Sequence, residues 1–191
     1  MDYSFKDLTA GNWNDFEKLF GANGACGGCW CMTWRLSSAA YSKTKGDGNK
    51  KLMKAIVKKF SPGVMAFANG EAVGWCAVAP RKEYVRLETS RVLKPVDDKE
   101  VWSVSCFFIK KDFRRKGLST ALLQAAVDFA FDNGAAIVEG YPVEQNKTSG
   151  KTMPDVFAWT GMAATFTRAG FKEVERRSES RPIMRLYKVK S

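Results

Sequence analysis

The chain contains no histidine, and that absence removes a large part of enzyme chemistry. Without imidazole there is no Ser-His-Asp or Cys-His mechanism, and the commonest metal ligand is missing as well. No apolar run approaches the roughly 20 residues that span a bilayer. The opening MDYSFKDLTAGNWNDF has no cationic segment followed by an apolar stretch, so neither a secretory signal nor a membrane anchor is expected, and the expected location is cytoplasmic. Five cysteines are an odd number in a chain of ordinary globular composition, a poor basis for a disulfide framework, so reduced thiols are expected. The nucleoside-triphosphate loop GxxxxGK[ST] and the dinucleotide fingerprint GxGxxG are both absent, as are internal repeats.

What remains is a chain of 191 residues, a length that suits one domain, with 45% hydrophobic and 27% charged residues, a balance that excludes wholesale disorder. A formal charge of +11 attracts phosphate-rich partners and leaves nucleic acid, anionic lipid and phosphorylated cofactors open.

Apolar spacing predicts helices over Asp15–Phe20, Met32–Tyr41 and from Leu52 through Ile56 to Phe60, with Ser42–Lys51 read as a polar, glycine-containing loop. Val64–Ala68 and Ala72–Ala79 flank Asn69-Gly70-Glu71 and predict a hairpin. The run Val101–Ile109 is β-branched and aromatic without alternation, as expected of a central strand covered on both faces. A helix over Ser119–Asn133 and a strand over Ala135–Val143 then complete a right-handed βαβ unit, which places the loop after the first strand at the end where ligands bind. An irregular stretch to about Ala158 is expected to be a lid or a disordered excursion. A helix over Gly161–Ala169 capped by Thr160, and strands near Phe171–Arg177 and Ile183–Val189, close the chain.

The most informative segment is Arg114-Arg115-Lys116-Gly117-Leu118-Ser119-Thr120, between a buried strand and the first turn of a helix. A helix N-terminus offers unpaired N–H groups and the positive end of its dipole, Gly117 allows close backbone approach, and three cations add charge, so the segment reads as a phosphate cradle or as a solvated basic connection. The window Ile109–Ser119, with Arg114, Gly117 and Ser119 at the defining positions of Gln/Arg-x-x-Gly-x-Gly/Ala, resembles motif A of the GNAT N-acetyltransferase superfamily. Phe166-Thr-Arg-Ala-Gly170-Phe171 looks like the end of its second motif.

The resemblance implies an α/β (α+β) fold: a mixed, strongly twisted sheet with a splayed central pair of parallel strands flanked by helices. Residues 1–191 would form one domain, with 1–63 a helical acceptor-side segment and 64–191 the sheet core. The implied activity is acetyl-coenzyme A-dependent transfer to an amine of a small molecule or protein, directly in a ternary complex and without a metal. Arg114, Arg115, Lys116, Gly117, Leu118, Ser119 and Thr120 would hold the pyrophosphate, and the backbone of Phe108, Ile109 and Lys110 would pair with the pantetheine arm.

Three places depart from the superfamily pattern, the first being Ser119, where glycine or alanine is preferred. Phe166 stands where a tyrosine often acts as general acid, and Trp159-Thr160 stands near an expected asparagine. Replacement catalysts are sought on the second parallel strand, where Ile137, Glu139 and Tyr141 share a face: Glu139 as proton acceptor or as an ion-paired strand carboxylate, Tyr141 as proton donor or as a strand-end aromatic. In Cys26-Gly-Gly-Cys29-Trp30-Cys31-Met32-Thr33-Trp34-Arg35 the spacing allows zinc or a redox pair, but neither a histidine nor a second CxxC completes a metal site. Trp30, Trp34 and Arg35 are candidate substrate contacts, the indoles for an apolar or cationic acceptor and Arg35 for a carboxylate. The indoles alternatively bury one helical face. Competing functions are a non-catalytic acyl-coenzyme A sensor and a basic nucleic-acid-binding module, the latter without a supporting motif; a homodimer is left open.

Overall fold

The computed structural model describes residues 2–144 and 159–189. Within them the order is β1 (Ser4–Asp7), α1 (Trp13–Phe20), α2 (Ser38–Thr44), α3 (Asp47–Val57), β2 (Gly63–Ala68), β3 (Glu71–Pro80), α4 (Val85–Thr89), β4 (Trp102–Ile109), α5 (Leu118–Asp132), β5 (Ile137–Gly140), α6 (Ala163–Arg168), β6 (Lys172–Arg176) and β7 (Pro182–Tyr187). The strands form a seven-stranded sheet in the order β1-β2-β3-β4-β5-β7-β6. Only β4 and β5 pair in parallel. The fold is the mixed α/β sheet expected from the sequence.

Both faces of the central strands are apolar because each is covered. Strand side chains alternate, so Val64 and Ala66 of β2 turn to one face while Met65 and Phe67 turn to the other. The first face receives α5, whose Leu118, Leu122, Leu123, Ala126, Val127 and Ala130 are all buried against it. The second is covered by the N-terminal segment through Trp13, Phe16, Trp30 and Met53, packed on Met65 and Trp75.

That segment departs from its predicted pattern. Met32–Tyr41 is not one helix: Trp30 and Cys31 have φ values of 43° and 60°, and turns carry the chain to α2, which starts at Ser38 behind a Ser37 cap. The polar Ser42–Lys51 stretch is mostly helical rather than a loop. Buried Asn49 in α3 donates to the Gly28 carbonyl at 3.0 Å and accepts from the Thr44 hydroxyl at 2.6 Å, a tertiary tie that composition does not reveal. Thr160 does not cap α6, whose N-cap is Met162; its hydroxyl accepts instead from Arg181 at 2.9 Å. Most of the predicted lid lies outside the described residues. Among the described residues no helix is long and apolar enough to cross a membrane.

Two features open the sheet at its centre. A bulge leaves Ser105 unpaired between Cys106↔Ala77 and Val104↔Val78, re-aiming the rest of β4. Pairing between β4 and β5 covers only Trp102↔Val138 to Val104↔Gly140, while β4 continues to Ile109. Gly140, where that pairing stops, lies under Phe166: a Cβ there would sit 2.1 Å from the ring. Gly140→Ala is therefore expected to lower stability by about 1–3 kcal/mol through overpacking. Thermal melting checks this, and Phe166→Leu in the same chain should recover part of the loss.

Candidate active site

The loop leaving β4 reaches α5 through Arg115 at φ 59° and Gly117 at φ 80°. Nothing lies within 4 Å of a Cβ built on Gly117, so glycine is favoured there by the left-handed backbone and not by crowding. Among the described residues no acceptor engages the N–H groups of Arg115, Lys116, Gly117, Leu118 or Ser119. Thr120 differs, since its N–H is already bonded to the Gly117 carbonyl at 3.1 Å. The open donors stand at the positive end of the 15-residue α5, beside exposed Arg114, Arg115 and Lys116. Arg114 is held by its Nε, which donates to the Ile109 carbonyl at 2.9 Å.

This loop faces a cleft cavity of about 450 Å³, bordered by Arg114, Arg115 and Ser119 on one side and by Phe107, Phe108 and Ile109 on the other. Of the three residues at the end of β4 and just beyond it that are proposed to meet an extended ligand, only Ile109 turns its peptide group outward. It faces Gly74 as a non-hydrogen-bonded pair, whereas Lys110 donates its N–H to Val73 at 2.9 Å and Phe108 faces Trp75. Phe107, one step further in, donates to the Trp159 carbonyl at 2.6 Å.

A second cavity of about 280 Å³ adjoins the first and shares Ala25, Cys26, Phe107, Phe108 and Trp159 with it. Residues 30–149, well over half of the chain, match the Acetyltransferase (GNAT) family. The chain belongs to that family. Solved structures agree in fold: the PaiA N-acetyltransferase of Thermoplasma acidophilum, in complex with coenzyme A, is 14% identical at a TM-score of 0.54, covering 98% of this chain and 100% of that one. A GNAT-family acetyltransferase of Listeria monocytogenes is 8% identical at 0.58, covering 97% and 94%. An N-acetyltransferase of Staphylococcus aureus is 11% identical at 0.55, covering 98% and 99%. A search of curated protein sequences finds no match.

In this GNAT chain the predicted substrate contacts separate. Trp34 lines the second cavity, with Trp159 at 5.6 Å between ring centroids. Trp30 does not reach it: the indole is 3% exposed and packed among Trp13, Phe16 and Phe20. Arg35 also turns away, buried over the Tyr84 ring at 4.6 Å and 3.6 Å from Glu83.

Glu139 and Tyr141 share a face as expected but border neither cavity; they are 1% and 0% exposed. Glu139 accepts from Arg81 at 3.0 Å and from the Tyr141 hydroxyl at 2.6 Å on one oxygen, and from Arg185 Nε at 2.7 Å on the other. Arg81 also donates to Glu88, Tyr141 and the Leu87 and Leu93 carbonyls, and Arg185 donates to Asp97 through both Nη atoms. Burial and the adjacent Glu139 carboxylate push the Tyr141 phenol well above its ordinary range. The ion-paired alternative for Glu139 is the arrangement present, and it anchors β5 beside the point where β4 and β5 part. Phe166 is also buried, edge-on to Phe107 and Phe171, and takes no part in either cavity wall.

The structure places the cysteine cluster at the cavities and adds Tyr41 and Cys106, which no motif marked. Cys26 stands at the junction of the cavities, and Cys29, Cys31, Cys106 and Tyr41 line the second. A hydrogen bond from Cys106 holds the Cys31 thiol below its usual range, aided by Trp75 Nε1 at 3.2 Å; that contact and burial push Cys106 well up. Burial raises the Tyr41 phenol, so it is protonated at neutral pH. Among the described residues no group of three or more cysteine, aspartate or glutamate side chains is placed to hold a metal. No local pattern could have found Tyr41 or Cys106, because the sheet and the N-terminal turns meet only in three dimensions.

Proposed function

We propose that the protein is an acetyl-coenzyme A-dependent N-acetyltransferase acting by direct transfer in a ternary complex. The supporting observation is the set of open N–H groups at Arg115–Ser119, at the mouth of a cleft beside the unpaired part of β4. The diphosphate would accept from these amides, with Arg114, Arg115 and Lys116 adding charge. The Ile109 N–H would meet the pantetheine arm in strand fashion, directing the thioester toward the cavity junction at Cys26 and Phe107. Residues 1–63 supply much of the acceptor side and residues 64–191 hold the cofactor, all as one domain.

In the reaction a neutral amine nitrogen attacks the thioester carbonyl carbon. The C–N bond forms, the C–S bond breaks, and the proton lost by nitrogen is balanced by one gained by sulfur. Tyr41 contributes the only phenol among the described lining residues, and we assign it as proton donor to the departing thiolate. Glu139 and Tyr141 act as positioning residues that hold β5 at the fork.

Mass spectrometry of candidate amines incubated with protein and acetyl-coenzyme A, together with loss of thioester absorbance, tests the reading. Acceptor-dependent acetylation is expected, with kcat at least tenfold lower in Tyr41→Phe and an unchanged KM for acetyl-coenzyme A. Cofactor binding without turnover of any amine would instead make the protein an acyl-coenzyme A sensor.

A further inference from the structure

We propose that the acceptor is an aromatic monoamine with no second charge, an arylalkylamine of the size of phenethylamine or tryptamine. This rests on the acetyltransferase reading and deepens it. The observation is what the second cavity contains. Its wall is built from Phe20, Trp34, Tyr41, Phe108, Trp159 and thiols, and no Asp, Glu, Lys or Arg lines it among the described residues.

Among the described residues, three neighbouring cations lie outside the wall of this cavity. Arg35, next in sequence to Trp34, is buried over Tyr84. Arg86 lies over the Tyr41 ring at 5.7 Å and donates to Ser38, outside the cavity wall. Lys50 is ion-paired with Glu17 and lies over buried Trp30. The cations that do face the cleft, Arg114 and Arg115, line only the cofactor cavity.

Against the described lining residues, an acceptor carrying a second ammonium or a carboxylate would bury that charge without a partner, and a wall that offers no counter-charge rejects it through desolvation. Polyamines, aminoglycosides and free amino acids are disfavoured on this ground. Size points the same way. A cavity of ~150 Å³ is enough for a benzene, so about 280 Å³ takes a single or fused ring with a short aminoalkyl arm. The tilted Trp34–Trp159 pair, with planes 35° apart, gives the ring an aromatic corner. The amine then points toward the junction with the cofactor cavity, where Cys26 and Phe107 stand.

The test compares kcat/KM for tryptamine, phenethylamine, hexylamine, spermidine, lysine and an aminoglycoside, and measures tryptamine and phenethylamine binding to the coenzyme A-loaded protein by calorimetry. The aromatic amines are expected to exceed the multiply charged ones by at least 100-fold and hexylamine by at least fivefold. Trp34→Ala should raise the KM for tryptamine at least tenfold and leave that for acetyl-coenzyme A unchanged, with folding confirmed by its melting curve. Preference for spermidine, lysine or the aminoglycoside overturns the inference and leaves the transferase reading standing, and parity with hexylamine overturns its aromatic part. Aromatic amines that bind at micromolar concentration but are not acetylated uphold the site and overturn the transferase reading. No binding at millimolar concentration overturns the inference.

Discussion

Glu139→Gln is expected to destabilise the protein by about 3–5 kcal/mol, the usual cost of removing one partner from a buried charge cluster. The carboxylate is the shared acceptor of two guanidinium groups, one from each side, and of a buried phenol. A neutral amide returns only part of that hydrogen bonding and leaves Arg81 and Arg185, 8% and 3% exposed, with Glu88 and Asp97 alone as counter-charges, both of them much more exposed than Glu139. Denaturant titration measures the loss, which is a large fraction of a typical domain's 5–15 kcal/mol. Asp97→Asn serves as the comparison: its carboxylate also pairs with Arg185 but is 36% exposed, and the effect should be much smaller. A Glu139→Gln variant of unchanged stability and abolished turnover would restore the carboxylate as a proton acceptor.

Ser119→Asp is expected to weaken coenzyme A binding by 100-fold or more while leaving the melting temperature unchanged or higher. Ser119 is half-buried in the first turn of α5 and borders the cofactor cavity. A carboxylate near a helix N-terminus is favourable to the helix by ~0.3–1 kcal/mol. Facing a diphosphate, the same charge is repelled, and like-charge juxtaposition costs several kcal/mol. The two effects have opposite signs, so unfolding cannot imitate the predicted result. Calorimetry and melting on one sample separate them.

The elements that local patterning revealed are those whose cause is local. The β2–β3 hairpin follows from Asn69-Gly70, the central strand from its apolar run, and α5 from its buried stripe and the glycine before it. The phosphate-cradle candidate was legible for the same reason, because a strand, a glycine and a helix start are contiguous. Four-residue β1 carries no alternation and is set by pairing with β2, so it left no signal. The reach of Glu139 was equally hidden: Arg81 and Arg185 lie 58 and 46 residues away, and only the fold brings them to it. The i, i+4 spacing of Trp30 and Trp34 offers two substrate contacts or one buried helical face, but the left-handed backbone at Trp30 and Cys31 sends one indole into the core and the other to the cleft.

The most direct test follows backbone amide resonances during titration with acetyl-coenzyme A. The amides of Arg115, Lys116, Gly117, Leu118 and Ser119 should shift together, saturating in the micromolar range, while Asn133 at the far end of α5 stays in place. Saturable binding that leaves those five amides unmoved would contradict the account.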